Sequence, residues 1–191
     1  MVEDETAVDG RRTDTKQRIR DVALDVFGER GWESATLREI AERIGITRPA
    51  LYYHYDSKEA ILASIHDDLA GSVDHIIAAA RSEPRTAATR VALLRQVADL
   101  VSGDWGAFVR FAQREERAMR DLKGAAGFAE RMDALANLLQ PDGSIASQIS
   151  ARLALDAILM ASARDSHLGG TQTERNAAAL QIATQLIDRT P

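Results

Sequence analysis

The amino-acid sequence predicts an all-α protein of about nine helices, a short N-terminal helix-turn-helix unit followed by a longer helical one. Alanine and leucine abound, and no apolar-polar alternation of the strand type persists along the chain. Clusters of Gly and Pro punctuate it at intervals of roughly 15–25 residues, as helix boundaries do. Residues 36–58, TLREIAERIGITRPALYYHYDSK, add a denser signal: two short helices around a glycine turn, closed by a polar aromatic cluster.

Residues 1–13 are polar, acidic at the start and unpatterned, which predicts a disordered arm. Arg11 and Arg12 stand just before the first helix, either simply solvated or placed to meet a phosphate or the adjacent minor groove. Helix one is predicted over about 15–30, starting near Asp14 or Thr15, with Ile19, Val22, Ala23, Val26 and Phe27 on its buried stripe and Gly31 as its stop. Thr36 opens helix two, and Glu39 three residues on predicts a capping box, each side chain satisfying a backbone N–H of the other. Leu37, Ile40, Ala41 and Ile44 follow the spacing of a buried stripe, leaving Arg38, Glu39, Glu42 and Arg43 outside.

Gly45 can take the left-handed conformation that ends a helix, so the chain reverses within about three or four residues. Thr47 then caps helix three, and Pro49 lies where its missing N–H has no intrahelical partner to lose. That helix is about two turns long. It presents Thr47, Arg48, Pro49 and Ala50 at its tip and turns Leu51 and Tyr55 to the core. Arg reads a guanine edge bidentately, small or apolar side chains touch a thymine methyl, and a helix N-terminus suits phosphate. Tyr52, Tyr53, His54 and Lys58 add donors suited to backbone phosphates.

Ser57 caps a fourth helix to about residue 81, with the stripe Ile61, Leu62, Ile65, Leu69, Val73, Ile76 and Ile77, broken at Glu83-Pro84. Further helices are predicted over about 86–102, 104–121, 125–140, 144–167 and 172–189. The organisation is thus an arm over 1–13, a helix-turn-helix domain over 14–58 and a second helical domain over 59–191.

Residues 15–62 resemble the N-terminal DNA-binding domain of the TetR family of tetracycline-repressor-like transcriptional regulators. Phe27, Gly31, Thr36, Ile40-Ala41, Gly45-Ile46, Leu51-Tyr52, His54-Tyr55 and Lys58-Glu59 carry the resemblance. It implies base or groove contacts from Arg38, Arg48, Pro49, Ala50 and Tyr53, and phosphate contacts from Thr47, Tyr52, His54 and Lys58. Leu37 departs from the small hydroxyl residue common in relatives, so no phosphate contact is carried over there. The resemblance also implies a homodimer through the last two helices, about 144–167 and 172–189, palindromic double-stranded operator DNA as partner, and a small-molecule effector bound in the second domain.

The effector region, about 60–168, is read more thinly. Trp105, Phe108, Phe111, Met119, Phe128, Met132, Leu135 and Met160 supply the adaptable apolar lining of a pocket between helices, each of them equally a plain core residue. His75, Asn137, Arg110 and His167 are polar anchors of the same standing. Asp68 and His75 share a face of helix four, with Ser72 and Asp67 nearby, but lack a compact third ligand, so no metal is expected. No cofactor is expected either. The last two helices carry wide apolar faces dotted with alanine, which suit close packing, against a twin or as an intramolecular hairpin.

Composition narrows the classes. There is no cysteine, hence no disulfide framework or thiolate site, as suits a reducing cytoplasm. No stretch approaches the roughly 18 uninterrupted apolar residues of a membrane span. The net charge of −5 is unevenly spread: residues 1–9 carry four acids and no base, while residues 10–58 carry ten bases and eight acids. The small basic excess predicts a modest set of phosphate contacts per subunit, helped by dimerisation, with affinity falling steeply with salt. An enzyme is the weaker class, because no phosphate loop, nucleophile elbow, zinc pair or dinucleotide fingerprint occurs. The nearer rival is a dimeric DNA-binding protein without an effector.

Overall fold

The computed structural model describes residues 3–103, 105–122, 125–162 and 168–188, with backbone alone for 3–13, 116, 120, 121, 125 and 126. The expectations for Arg11, Arg12 and His167 fall on side chains outside this description. Among the described residues there are ten α-helices and no strand. They are α1 (Glu3–Arg30), α2 (Leu37–Ile44), α3 (Arg48–His54), α4 (Lys58–Ser82), α5 (Ala87–Ser102), α6 (Gly106–Arg114), α7 (Glu116–Asp121), α8 (Ala125–Leu139), α9 (Ile145–Ala161) and α10 (Gln172–Asp188).

Three boundaries differ from the sequence expectation, the simplest being α9, which ends at Ala161 with Ser162 as its C-cap rather than near residue 167. The first helix begins at Glu3 rather than near Asp14, so it takes in most of the segment expected as a disordered arm. No proline interrupts it, and a helix already nucleated over its anchored half extends at little cost. The helix expected over 104–121 is two, because Glu115 leaves the helical conformation at φ −107°, ψ 53°. Its carboxylate accepts the Trp32 N–H at 3.2 Å, a contact between residues far apart in sequence.

The chain forms two compact units. One comprises residues 1–68 together with 115–123, and the other 69–114 with 124–191. The first unit therefore runs past the boundary expected at residue 58 and recruits a later piece of chain. Its core is the stripe of α1 (Ile19, Ala23, Val26, Phe27) against Ile40 and Ala41 of α2, Leu51 of α3 and Ile61, Leu62 and Ile65 of α4. Ala118 and Leu122 add to it from the recruited segment. Each large aliphatic buried in this way stabilises by about 1.5–3 kcal/mol before entropy is counted.

In the second unit α9 packs chiefly on α10, with α5 against both and α8 against α9. Ala151, Ala154 and Ala161 on α9 and Ala179 and Ala183 on α10 are buried, so small side chains bring the two helices close. Leu94, Leu135, Leu139 and Leu155 fill the remaining core. On the other side of α9 lie Ile145, Ile149, Leu153 and Met160, all exposed, with exposed Ile182 on α10. No described helix is long and apolar enough to cross a membrane.

Candidate nucleic-acid interface

The two short helices are fixed locally, by caps. Thr36 Oγ1 accepts the Glu39 N–H at 3.2 Å. The return half of the expected capping box does not form, since the Glu39 carboxylate pairs with Arg30 Nε of α1 at 2.7 Å. Gly45, at φ 80°, closes α2 by donating its N–H to the carbonyls of Ala41 and Glu42, and Ile46 N–H follows to Ala41. A side chain would be strained there although nothing lies within 4 Å, so backbone conformation rather than space selects glycine. Thr47 Oγ1 then accepts the Ala50 N–H at 3.3 Å, with Pro49 in the first turn.

The tip so built is open. Thr47, Arg48, Pro49 and Ala50 are all exposed, as are Tyr52 and Tyr53, at 49% and 70%. His54 is half-buried and meets the Tyr53 ring edge-on at 5.3 Å. Arg38 projects from α2 and is also exposed, but it is paired with Glu42 one turn on, at 2.7 Å, a bond that holds its pKa above the usual value. Leu51 is fully buried beneath the tip and anchors α3. Eight of the nine residues expected to touch DNA therefore share one short helix, its cap or the exposed face of α2.

The ninth, Lys58, does not join them. Its ammonium donates to the Trp32 carbonyl at 2.6 Å, reaches those of Glu33 and Ala35 at 3.4 Å, and stands over the Trp32 ring. Lys58 thus corrects the expectation of a phosphate contact: it caps the turn between α1 and α2 from the start of α4. The physical reason is that three carbonyls and an aromatic face converge on its amine, which makes the turn a better partner than solvent. Glu115 holds the same residue from the other side, accepting the Trp32 N–H.

A further cluster escaped the sequence reading. Arg20 Nη1 donates to the hydroxyls of Tyr55 and Ser64 at 3.4 and 3.2 Å, and Nη2 pairs with Asp68 at 2.9 Å. Tyr55 is the C-cap of α3, so one guanidinium of α1 fastens the end of α3 to α4. Its only local signal is a cation beside Ile19 at the edge of the buried stripe. Arg43 is exposed, as expected, and also binds Glu29 of α1 at 2.8 Å, a bond that lowers the glutamate pKa and raises that of the arginine. These pairs tie α2 to α1. Arg48 forms no such pair among the described residues, which leaves it available at the tip.

The residues expected to line an effector pocket fall in different settings among the described residues. Phe108, Phe111, Met132 and Leu135 are buried core, the two phenylalanine rings 6.5 Å apart, and Trp105 is half-buried. Met119 belongs to the first unit, and Phe128 and Met160 are exposed at 41% and 55%. Met160 faces outward because it continues the row of Ile145, Ile149 and Leu153, which a periodicity count alone cannot distinguish from an inward row. Of the polar anchors, Asn137 accepts from Gln140, and His75 donates Nδ1–H to the Gly71 carbonyl at 2.7 Å. The second unit does contain a cleft, between the end of α4 and the start of α5, with Leu138 of α8 on its wall. None of the eight expected residues lines it.

Residues 19–65 match the bacterial regulatory proteins, tetR family. The chain is 40% identical over 80 residues to the HTH-type transcriptional repressor KstR2 of Rhodococcus jostii, covering 40% of this chain and 37% of that protein. The chain thus matches little more than a third of that relative's length. A bacterial regulatory protein of the tetR family from Rhodococcus RHA1 shares the fold at TM-score 0.68 and 21% identity, over 90% of this chain and 96% of that one. AibR, solved in complex with isovaleryl coenzyme A and operator DNA, does so at 0.62 and 18%, over 85% and 96%. The capped short helix and its buried Leu51 anchor both lie within residues 19–65, the span that matches the bacterial regulatory proteins of the tetR family.

Proposed function

We propose that the protein is a cytoplasmic transcriptional repressor that binds a palindromic operator as a homodimer and is released by a small-molecule effector. The observation that carries the reading is the tip of α3: six exposed residues, Thr47, Arg48, Pro49, Ala50, Tyr52 and Tyr53, on a two-turn helix and its cap, anchored from behind by buried Leu51. Arg48 and Tyr53 read base edges. Thr47, Tyr52 and His54 grip phosphate, and Arg38 joins once it leaves Glu42.

Dimerisation is supported by the exposed row Ile145, Ile149, Leu153 and Met160 on α9 with Ile182 on α10, an apolar face of the kind soluble monomers rarely show. An isologous pairing of this face gives two-fold symmetry and sets two reading helices about one DNA turn apart or a multiple of it. Small-molecule control is supported by AibR, a relative in fold solved with a coenzyme A thioester and its operator together. The effector acts to the extent that it binds the released state more tightly than the DNA-bound one.

The test is a gel shift on DNA upstream of the protein's own gene against random DNA of equal length at physiological salt. Preferential binding by a dimer is expected. Equal binding to both sinks the reading for that target.

A further inference from the structure

We infer that the cleft between the last turn of α4 and the first turns of α5 binds a small anion carrying a short apolar tail. This deepens the effector reading and rests on it for the regulatory consequence, not for the binding itself. The cleft encloses about 330 Å³, at the lower end of the roughly 300–1,000 Å³ of small-molecule sites. Leu93 and Leu138, both buried, and Ala80 give it an apolar lining, while Arg85, Arg90 and Glu83 supply its charge.

Arg90 carries the argument. Its Nε is withdrawn from solvent and meets no hydrogen-bond acceptor, and its guanidinium forms no ion pair among the described residues. Arg90 as a whole is half-buried; a guanidinium N–H shielded from water is costly until an acceptor reaches it, and a carboxylate or phosphate offers the guanidinium fork two oxygens at once. The position compounds the cost. Arg90 lies just inside α5, after the cap Thr86, where the positive end of the helix dipole opposes a cation, and the first turn of α5 holds no acid. Glu83 at the rim is the single acid of the lining against two arginines, so an anion entering the cleft meets net positive charge. The apolar part then favours a ligand with a tail over a bare inorganic ion.

Calorimetric titration of the full chain without DNA tests this, with hexanoate and hexyl phosphate as probes and 1-hexanol as their neutral counterpart. Saturable binding of at least one acid is expected, at least tenfold tighter than hexanol; which acid binds distinguishes a carboxylate from a phosphomonoester site. Arg90→Gln is expected to lose tenfold or more while melting like the wild type. Ala92→Phe, at an exposed lining position where a larger side chain fills the cleft without touching the core, is expected to abolish binding. Absence of saturable binding for both acids overturns the site, and so does wild-type affinity in both variants. An acid that binds through Arg90 but leaves operator binding unchanged upholds the site and counts against the effector reading instead.

Discussion

Lys58 Nζ lies 2.6 Å from the Trp32 carbonyl oxygen and 4.7 Å from the centre of the Trp32 ring, while the N–H of that same residue is held by Glu115. One residue between α1 and α2 is thereby clamped on both of its backbone polar groups, by a cation from α4 at its carbonyl and an anion from the segment before α7 at its N–H. The Trp32 ring packs edge-on against Phe27 at 5.1 Å, so the clamp reaches the core behind the reading helix.

Lys58→Ala is therefore expected to act on the fold. Losing charge-assisted bonds and a cation–π contact should lower unfolding stability by about 1–3 kcal/mol. The salt dependence of DNA binding should keep its slope, because no phosphate contact is removed. Urea unfolding and binding measured across a salt series check both; unchanged stability with a flattened slope would restore Lys58 to the phosphate contacts.

At the tip, Arg48→Ala is expected to weaken specific binding by about 1–3 kcal/mol and to relax one operator position. Arg38→Ala should cost less, since Arg38 must first give up Glu42. Affinities for a set of single-base operator variants decide it. Uniform weakening across all variants would make Arg48 a phosphate contact.

Ile149→Glu places a charge in the middle of the exposed α9 row, at a side chain more than half in solvent. Light scattering is expected to show a monomer that melts near the wild-type temperature, with operator binding lost. A variant that stays dimeric at the same concentration removes this face from the interface.

Acid should weaken the second unit through Asp74. The bidentate bond from Arg131, reinforced by its charge, holds the Asp74 carboxyl below its ordinary pKa. A pKa lowered by folding adds stability above the unfolded value of about 3.9 and loses it as pH falls through the lower folded value. The pair is half exposed, so its contribution stays within about 1 kcal/mol. Asp74→Asn should melt below wild type at neutral pH and together with it at pH near 2; a gap that persists in acid assigns the loss to packing.

The reading helix was legible because its determinants are local. Thr36, Gly45, Thr47 and Pro49 each act within four residues, and the structure keeps all four in those roles. What could not be read are partners chosen at long range. Glu39 has two suitors, the Thr36 backbone three residues back and Arg30 in the preceding helix, and only packing decides for Arg30. Lys58 meets carbonyls more than twenty residues away, and Glu115 breaks its own helix at the place where it reaches Trp32. The row ending at Met160 has helical periodicity whichever way it faces. Arg90 gives no sequence signal at all, because a lone arginine near a helix start is ordinary until its surroundings are known.

The recruitment of residues 115–123 bears on how such a protein can be recombined. A gene fusion joining residues 1–68 to a foreign second half would carry the first unit without the buried Ala118 and Leu122 and without Glu115 to hold Trp32. The first unit is discontinuous in sequence. Exchange of second halves between relatives then requires that the short loop-and-helix insert travel with the first unit, a constraint on both engineered chimeras and natural shuffling.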